Sequence, residues 1–544
     1  MNTRPQSSAS TKFLLVNEQL RAQVEAWIRD EVDESAAREL QMLLQAGDEA
    51  ELADRFRAPL TFGTAGLRGP LRAGPNGMNR TVVRRAAAGV ASWLAASGHG
   101  SDAVVVGYDA RHGSADFARD SVMILAGAGF AARLMPRPLP TPVLAYAVQQ
   151  LGAAAGIMVT ASHNPPQDNG YKVYADDGAQ IIPPADAQIE AAIQAAGPTH
   201  MLPMSERFEV LDEGIVEQYA AAVAALIPDG PRELRVVHTA LHGVSTEIVR
   251  RSFETAGFAA PIPVPQQADA DPDFRTVAFP NPEEPGALDL ALDVARAHDA
   301  ELVIANDPDA DRCAVAVPTG QEWRTLRGDE LGALLADWLL RRDVRGTYAT
   351  TIVSSSLLGA MAQRHGVGYA ETLTGFKWIT RAAPDLVYGY EEALGYAVAP
   401  NLVRDKDGIS ASLLAAALAA QLKVHGSSLT QRLDEIAAEY GRHATDQISI
   451  RVDDLLVIAG IMRRLRARPP DRLLGQAVQI TDLLPAADVL RLSWSRGKVV
   501  VRPSGTEPKL KVYLEVIVPD GSAVKAAEQL AELRREVGEL VAPQ

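Results

Sequence analysis

The sequence contains almost no cysteine, few aromatic residues and no long hydrophobic run. Among its 544 residues, Cys313 is the one cysteine, and aromatic residues make up 5%. One cysteine excludes an intramolecular disulfide and any metal site built from several cysteines. The longest apolar stretches, such as 411–422, are well short of the roughly 18 residues that cross a bilayer. Residues 1–20 also lack the apolar core of a signal peptide, so we expect a cytoplasmic protein with no membrane partner.

Positive charge is scarce relative to negative charge. The chain has 53 Lys and Arg residues against 68 Asp and Glu residues, which gives a formal net charge of −15. A chain of this charge is not a general polyanion binder, so we expect no nucleic-acid partner. An anionic ligand must therefore meet a local group of cationic side chains. The hydrophobic fraction of 47% and the charged fraction of 22% exclude a disordered or fibrous chain.

Short β-branched runs alternate with alanine-rich helical stretches along most of the chain. The runs typical of buried strands are 103–107, 157–160, 236–239, 302–305 and 350–353. Alternation of strand, loop and helix predicts βαβ units with mostly parallel sheets, and the unit recurs about three times. An amphipathic helix is predicted over 14–32 from its apolar spacing. In the last hundred residues or so, strand-like segments precede a terminal helix, which predicts a smaller α+β domain.

These patterns predict an α/β protein with three related mixed α/β domains and a smaller C-terminal α+β domain. At roughly 150 residues per domain, the length alone predicts three to four domains. We place the boundaries in polar, proline-containing stretches. The predicted domains are 1–207, 208–322, 323–440 and 441–544.

The strongest local signal is the segment 159–172, VTASHNPPQDNGYK. Ser162 follows a predicted strand, which is where α/β sheets present reactive groups. His163 would orient or titrate against the serine, or act only as a hydrogen-bonding support. Lys172 would supply charge or transfer a proton. Ser, Asn, Pro and Gly are also ordinary loop residues, so the segment alone fits a polar turn equally well.

The segment NDPDADR directly follows the apolar run 302–305. Its carboxylates, Asp307, Asp309 and Asp311, repel one another unless a cation lies among them. Carboxylate oxygens are ligands for Mg²⁺, provided that the segment curls around the ion. A solvated acidic loop is the alternative interpretation.

The residues of the acidic segment argue against two other interpretations. An EF-hand loop that starts at Asp307 is excluded, because Arg312 and Pro318 stand where it needs Gly and Glu. A haloacid-dehalogenase-type phosphatase would use Asp307 as its nucleophile. Asp311 argues against that interpretation, because such an enzyme would have Thr or Val there.

Two further segments contain polar side chains that could bind a ligand. In RPSGTEPK, residues 502–509, Arg502 offers a bidentate fork to a phosphate, and the hydroxyls and backbone amides after it can donate to phosphate oxygens. A hairpin turn with a surface salt bridge is the alternative. In GYEEALGY, residues 389–396, the adjacent carboxylates either bind sugar hydroxyls or form an acidic loop. The segment 127–132, GAGFAA, imitates a dinucleotide fingerprint but closes a predicted helix, so it predicts no dinucleotide site.

Six segments, taken in this order, resemble the α-D-phosphohexomutase superfamily of phosphoglucomutases and phosphomannomutases. They are FGTAGLRG at 62–69, GYDAR at 107–111, the Ser162 segment, the triple-aspartate segment, EEALG at 391–395 and the Arg502 segment. The resemblance implies four domains around a central active-site cleft. The first three of these are related α/β units, and the last is a smaller α+β fold.

The resemblance also implies residue roles. Ser162 would carry a phosphoryl group and, with Asp307, Asp309 and Asp311, ligate one Mg²⁺ per active site. The other residues implied in catalysis are His163, Lys172, Arg68 and Arg312. The residues implied in contacts with the sugar are Glu391, Ala393 and Lys377. The residues implied in gripping the phosphate that does not react are Arg502, Ser504, Gly505 and Thr506.

The implied function is a phosphosugar mutase that moves a phosphoryl group between the 1- and 6-positions of a hexose phosphate, glucose or mannose. A phosphoserine enzyme and a sugar 1,6-bisphosphate, acting as activator and intermediate, belong to this reaction. Ala393 stands where many glucose- and mannose-specific members have serine, and EEALG looks more like the branch with phosphoglucomutase-2 and phosphopentomutases.

Phosphopentomutase is therefore the alternative function, and a metal-dependent sugar phosphatase is the alternative from a different class. A catalytically silent sugar-phosphate binding protein would lack the serine and the aspartates that this chain has. We expect sugar phosphates as the partners and a monomer or homodimer.

Overall fold

The computed structural model of the chain describes residues 16–62, 66–452, 454–504 and 509–542. Gly505 and Thr506, both predicted to bind phosphate, lie outside the described residues, as does part of the FGTAGLRG segment.

Three short helices precede the first sheet. They are α1 (Glu18–Asp30), α2 (Glu34–Ala46) and α3 (Glu49–Phe56). Each begins at a side chain that accepts hydrogen bonds from first-turn amides, namely Asn17, Asp33 and Asp48. The helix predicted over 14–32 ends earlier than expected, at Asp30, because the backbone becomes extended at Glu31. Asp33 then caps the next helix.

The first domain contains a six-stranded sheet covered by helices. Its elements are β1 (Leu67–Pro70), α4 (Arg80–Ala96), β2 (Ala103–Tyr108), α5 (Ser114–Gly127), β3 (Ala131–Leu134), α6 (Thr141–Gln150), β4 (Ala155–Val159), β5 (Asp168–Ala175), α7 (Ala185–Ala195), a 3₁₀ turn (Thr199–Met201) and β6 (Glu209–Val210). The strand order is β1-β5-β4-β2-β3-β6. The pairs from β4 to β6 are parallel, and β5 pairs antiparallel with β4 and β1.

The second domain repeats this plan with five strands. Its elements are α8 (Gly214–Ala224), β7 (Val236–Thr239), α9 (Thr246–Thr255), β8 (Ile262–Pro263), α10 (Asp289–Ala297), β9 (Leu302–Ala305), β10 (Ala314–Thr319) and β11 (Glu322–Thr325). The order is β11-β10-β9-β7-β8. The pairs β9–β7 and β7–β8 are parallel.

The third domain has a four-stranded sheet in the order β13-β12-β14-β15. Its elements are α11 (Gly328–Leu340), β12 (Thr347–Thr351), α12 (Leu357–His365), β13 (Gly368–Thr372), α13 (Phe376–Ile379), β14 (Leu386–Glu391), β15 (Gly395–Ala397), α14 (Gly408–Val424) and α15 (Leu429–Tyr440). Within the described residues, no single helix is long and apolar enough to cross a membrane. Only α14 and α15 taken together pass that test, and they are bent by 88°.

The fourth domain is an antiparallel sheet with two long helices. Its elements are β16 (Arg442–Arg451), α16 (Leu455–Ala467), β17 (Arg472–Leu473), β18 (Gln476–Ala477), β19 (Gln479–Asp482), β20 (Leu490–Trp494), β21 (Gly497–Pro503), β22 (Lys509–Val518) and α17 (Ala523–Val541). The main sheet has the order β16-β22-β21-β20-β19. The predicted class, three mixed α/β domains and a smaller α+β domain, is confirmed, while the exact domain boundaries stay a prediction.

One hydrophobic cluster joins the first three domains. It contains Tyr146 of the first domain, Tyr219 of the second and Tyr390 of the third, all buried. The rings of Tyr146 and Tyr219 lie 5.6 Å apart, edge to face. The fourth domain has a separate core of its own.

The fourth domain docks on the third through a smaller apolar contact. The predicted strand over 350–353 ends earlier, at Thr351. Ile352 and Val353 leave the sheet and pack against Val500 and Tyr513, because their apolar side chains are buried there rather than in the third domain's own layers.

A buried ion pair lies at the same contact. Lys498 and Glu515 face each other across β21 and β22, and their side chains are 5% and 2% exposed. Lys498 Nζ donates to the carbonyls of Ile352 (3.1 Å) and Ser354 (2.6 Å). Glu515 Oε1 accepts from Ser355 Oγ at 2.7 Å. Buried charges with these partners favour one docking arrangement over others.

We predict that Lys498→Met destabilises the protein by about 3–5 kcal/mol, because Glu515 stays buried without the nearby charge of Lys498. Of the ion-pair partners of Glu515 in the described structure, only His443 then remains, and two carbonyls of the third domain lose their ammonium donor. Urea unfolding followed by circular dichroism measures the loss of stability. Lys525→Met is the matched control, since Lys525 pairs with Asp520 on the exposed surface of the same domain. Its loss should change the stability far less, because solvent screens an exposed ion pair. Equal losses in the two variants would contradict the structural role of the buried pair.

Candidate active site

Three loops meet where strands of the first three sheets end. Ser162 follows β4, the triple-aspartate segment follows β9, and Glu391 is the last residue of β14. Each of these strands has a parallel neighbour in its sheet. Loops at the carboxyl ends of parallel strands are the usual position of α/β active sites.

Ser162 has an unusual backbone conformation that its neighbours hold in place. Its φ is +52°, a left-handed conformation that costs free energy for a non-glycine residue. Its amide donates to Thr160 Oγ1 at 2.9 Å. Arg111, from the GYDAR segment, donates to the Ser162 carbonyl at 2.5 Å and to three further carbonyls between there and the start of β5. This loop therefore has a defined shape, and it aims the hydroxyl at the acidic segment.

The three carboxylates of that segment form one buried cluster. Ligand oxygens of Asp307, Asp309 and Asp311 lie within 4.8 Å of one another, and all three side chains are fully buried. Ala310 has a φ of +58°, which curls the loop as a shared cation requires. Ser162 Oγ donates to Asp307 Oδ2 at 2.7 Å.

Two lysine side chains contact one carboxylate oxygen of Asp309 and one of Asp311. Lys172 Nζ donates to Asp309 Oδ2 (2.7 Å) and Asp311 Oδ2 (3.0 Å), and Lys406 Nζ lies 3.1 Å from Asp311 Oδ2. Within the described part of the chain, Asp309 Oδ1 and Asp311 Oδ1 are buried and have no hydrogen-bond partner. Buried oxygens without partners cost free energy, and a divalent cation would satisfy them. The donor set therefore fits Mg²⁺, which prefers oxygen ligands.

Charge and burial set the protonation of this cluster. Burial and the charges of Asp309 and Asp311 raise the pKa of Asp307 well above its ordinary value. Burial also acts to raise the pKa of Asp309, but Lys172 outweighs it, and the net pKa is lowered. Burial acts to lower the pKa of Lys172, yet the two carboxylates raise it above its ordinary value. Lys172 therefore carries a proton at neutral pH.

The remaining predicted catalytic residues surround the serine loop. His163 Nδ1 lies 3.2 Å from Ser162 Oγ, and burial together with the charges of Arg312 and Arg68 holds its pKa well below the ordinary value. Arg68 donates to Asn164 Oδ1 at 2.9 Å. Arg312 Nε lies 4.0 Å from Asp307 Oδ2. All the predicted catalytic and metal-ligating residues thus come together, while their roles stay predictions.

The predicted sugar-binding residues are only partly brought together. Glu391 Oε1 lies 3.8 Å from Lys406 Nζ, and burial raises the pKa of Glu391. Ala393 is half-buried in the same loop. Lys377 lies on α13, with Nζ 5.6 Å from the centre of the Trp378 ring. Among the described residues, no hydrogen bond or ion pair joins Lys377 to Glu391 or to the aspartates.

The predicted phosphate loop lies at the end of β21 in the fourth domain. Ser504 N donates to the Lys509 carbonyl at 2.7 Å. Burial raises the pKa of Tyr513, and the charge of Arg502 acts against that rise. A cavity of about 420 Å³ opens between the second, third and fourth domains, with Glu283, Glu392 and Tyr513 in its lining. Glu283 Oε2 also lies 3.3 Å from Arg312 Nη1, so the cavity adjoins the acidic cluster.

Two residues that contact the aspartates, Lys406 and Thr141, are not predicted by the sequence patterns. Lys406 stands in a charged run directly before α14, and a charged run at that place predicts no contact with the aspartates. Thr141, whose hydroxyl donates to Asp309 Oδ2 at 2.7 Å, gave no signal that sequence reasoning used. Arg111 belongs to the GYDAR segment, but only the structure shows its hydrogen bonds to the serine loop.

The site has a buried hydroxyl beside carboxylates that can hold a divalent cation, and arginine and lysine side chains surround it. Such a site is suited to phosphoryl transfer. Comparison with known proteins agrees with this chemistry. Four family models match in order, the phosphoglucomutase/phosphomannomutase alpha/beta/alpha domains I, II and III and the C-terminal domain, at residues 59–199, 217–320, 327–440 and 462–533. The chain belongs to the phosphoglucomutase/phosphomannomutase family, and the predicted superfamily resemblance is confirmed.

Individual relatives have different substrate names. A Haemophilus influenzae protein named "Probable phosphomannomutase" is 46% identical over 81% of this chain and 93% of its own length. A Mus musculus protein named "Phosphopentomutase" is 35% identical over 95% of this chain and 92% of its own length. A solved structure of a family protein from Burkholderia thailandensis has the same fold, with a TM-score of 0.70, 21% identity and coverage of 88% and 97%. The protein is therefore an enzyme of the mutase class, as predicted.

We predict that Mg²⁺ stabilises the folded protein through the acidic cluster. At a concentration of 100 times its dissociation constant, the gain is about 2.7 kcal/mol. Urea unfolding with Mg²⁺ and with EDTA measures it within each variant, so that changes in the metal-free protein cancel. Asp311→Asn should lose the gain.

The matched control is Asp177→Asn, whose carboxylate pairs with Arg381 and Arg404 and not with the triad. It should keep the gain. An undiminished Mg²⁺ effect in Asp311→Asn would show that the ion binds elsewhere.

Proposed function

We propose that the protein is a Mg²⁺-dependent phosphosugar mutase that moves a phosphoryl group between the 1- and 6-positions of a hexose phosphate, glucose or mannose. The observation that carries the proposal is the 2.7 Å hydrogen bond from Ser162 Oγ to Asp307 Oδ2. It places a hydroxyl that can carry a phosphoryl group directly against the predicted metal ligands. Asp307, Asp309, Asp311 and the phosphoryl group on Ser162 would hold Mg²⁺, which supplies neutralisation of charge on the transferring group when bound.

The chain's own residues supply the rest of the transfer. The bond between the Ser162 oxygen and phosphorus breaks as a sugar hydroxyl oxygen bonds to phosphorus. The departing Ser162 oxygen gains a proton from Lys172, and the proton that the sugar hydroxyl loses restores the one that Lys172 has given. Arg68 and Arg312 stabilise the charge that develops on the phosphoryl oxygens. Because Lys172 carries a proton at neutral pH, we assign it to proton transfer as a donor that is afterwards restored, with His163 as a support for the serine. Phosphoryl transfer depends mainly on such positioning and charge stabilisation.

The intermediate of this reaction is a sugar 1,6-bisphosphate, which also activates the enzyme by phosphorylating Ser162. It turns around in the cleft, so that its other phosphate returns to the serine. Glu391, Ala393 and Lys377 would contact the sugar in both orientations. The group that would grip the unreacting phosphate is Arg502, Ser504, Gly505 and Thr506. The cavity beside Glu392 and Tyr513 has the size of a small-ligand site.

The choice of sugar rests on two opposing observations. The relative from Haemophilus influenzae, at 46% identity, supports a hexose. Ala393 supports the second candidate, phosphopentomutase, because alanine offers no hydroxyl to a sugar oxygen. The phosphatase alternative would use the same residues with water as the acceptor. We further propose sugar phosphates as the partners, a monomer or homodimer, and a cytoplasmic location, which the single reduced cysteine supports.

Phosphorus NMR of the purified protein with Mg²⁺ and a trace of sugar bisphosphate tests the proposal. Glucose, mannose and ribose 1-phosphates are supplied in parallel. We expect the resonance of a 6-phosphate to grow for glucose or mannose, without free phosphate. A 5-phosphate from ribose alone would assign a phosphopentomutase, and inorganic phosphate alone would assign a phosphatase.

We predict that Ser162→Ala folds normally and binds substrate, yet loses turnover by several orders of magnitude, because no side chain then carries the phosphoryl group. The NMR assay and an isotope-labelled bisphosphate, which should label the wild type but not Ser162→Ala, measure the effect. Ser252→Ala is the matched control. It removes a buried hydroxyl in the second domain that has no hydrogen-bond partner among the described residues, and it should retain full activity. Mutase activity in Ser162→Ala would refute the serine assignment.

A further inference from the structure

Thr141, the first residue of α6, contacts Asp309 twice across the boundary between the first and second domains. Its amide donates to the Asp309 carbonyl at 2.9 Å. Its hydroxyl donates to Asp309 Oδ2 at 2.7 Å. Thr141 is fully buried, and within the described residues Asp309 is the only partner of its hydroxyl. The backbone and the carboxylate of one predicted metal ligand are thus both held by one residue of another domain.

The position of Thr141 is itself fixed. Pro140 precedes it with a φ of −59°, and proline follows it at position 142, so the backbone here has little freedom. The residues of α6 from Thr141 to Val148 are all buried, and Tyr146 of this helix packs on Tyr219 of the second domain. Thr141 therefore cannot follow a movement of Asp309 without disturbing the main core.

These contacts decide which oxygen of Asp309 is available. Oδ2 receives hydrogen bonds from both Thr141 and Lys172, whereas Oδ1 is buried without a partner in the described structure. A carboxylate with two donors on one oxygen is held against rotation, so the other oxygen keeps a constant direction. With Lys172 alone, the carboxylate would have one anchor, on a long and flexible side chain.

We propose that Thr141 is a positioning residue that fixes Asp309 so that Oδ1 is presented to the metal ion. The metal site of the second domain is then complete only when the first domain is docked on it. Neighbouring groups that orient a metal ligand commonly govern metal affinity. This inference rests on the metal-dependent function proposed above.

The structure distinguishes this role from a local structural one. The residue that caps α6 is Pro140, so the Thr141 hydroxyl does not satisfy the first amides of the helix. The hydrogen bond from the Thr141 backbone amide to the Asp309 carbonyl does not require a hydroxyl and persists in any non-proline variant. Removal of the hydroxyl therefore removes one interaction, the anchor on the carboxylate.

Thr141→Val, which keeps the shape of the side chain, tests the proposal. Titration with Mn²⁺ followed by electron paramagnetic resonance measures metal affinity without turnover. We expect Thr141→Val to bind Mn²⁺ about 10–100-fold more weakly than the wild type, whereas Thr141→Ser, which restores the hydroxyl, should bind within about threefold of it. In the activity assay, raised Mg²⁺ should recover most of the kcat of Thr141→Val.

Thr81→Val is the matched control. Thr81 is also fully buried, and its hydroxyl donates to a carboxylate, Glu31 Oε1, at 2.6 Å, in a part of the first domain that does not contact the aspartates. It loses the same kind of hydrogen bond and should leave Mn²⁺ affinity unchanged. Thermal unfolding in EDTA shows whether both valine variants are folded, and Thr141→Ala, which also lacks the hydroxyl, carries the test if Thr141→Val is not folded.

The outcomes separate this inference from the function on which it rests. Absence of Mn²⁺ binding by the wild type would overturn both the metal-dependent function and this inference. Normal wild-type binding with equal affinity in Thr141→Val would overturn this inference alone. An equal loss of affinity in Thr81→Val, or no recovery in Thr141→Ser, would also overturn it, because general destabilisation or packing would then explain the effect.

Discussion

The ammonium group of Lys172, between the carboxylates of Asp309 and Asp311, is the interaction on which the rest of the site depends. Three buried carboxylates cannot remain ionised together without positive charge close by. Lys172 belongs to β5 of the first domain, and the aspartates follow β9 of the second. Neutralisation of the cluster therefore requires these two domains to be docked, and the large apolar cluster that joins the first three domains keeps them docked. Core packing and site chemistry are thus coupled.

The third and fourth domains enter this arrangement differently. Lys406, before α14, lies 3.1 Å from Asp311 and 3.8 Å from Glu391, so it links the metal ligands to the predicted sugar loop. The fourth domain contacts the third through Ile352, Val353 and the Lys498–Glu515 pair. That contact is small compared with the core of the first three domains, and it has its own buried charges. A substrate that bridges Ser162 and the Arg502 loop would add contacts between the two parts of the molecule.

Sequence patterns predicted the elements that local chemistry determines. The strands at 236–239 and 302–305 have the predicted limits, because short runs rich in apolar and β-branched residues mark buried parallel strands. The serine and the aspartates stood out because they follow such strands. Thr141 and Lys406 did not, since Thr141 is 168 residues from Asp309 and only the docking of domains brings such pairs together. The length of β16, Arg442–Arg451, also depends on a distant segment, because this strand pairs with β22 along its whole length.

The buried position of Cys313 has a practical consequence. Burial raises the pKa of its thiol to about 12, and only the thiolate reacts readily with alkylating reagents. Toward such reagents the folded chain therefore behaves as though it contained no cysteine. New cysteines at exposed sites, such as Arg341 of the third domain and Lys525 of the fourth, can each be labelled without removing the native one. Spectroscopic distances between such labels would report the position of the fourth domain in solution, in the otherwise unaltered protein.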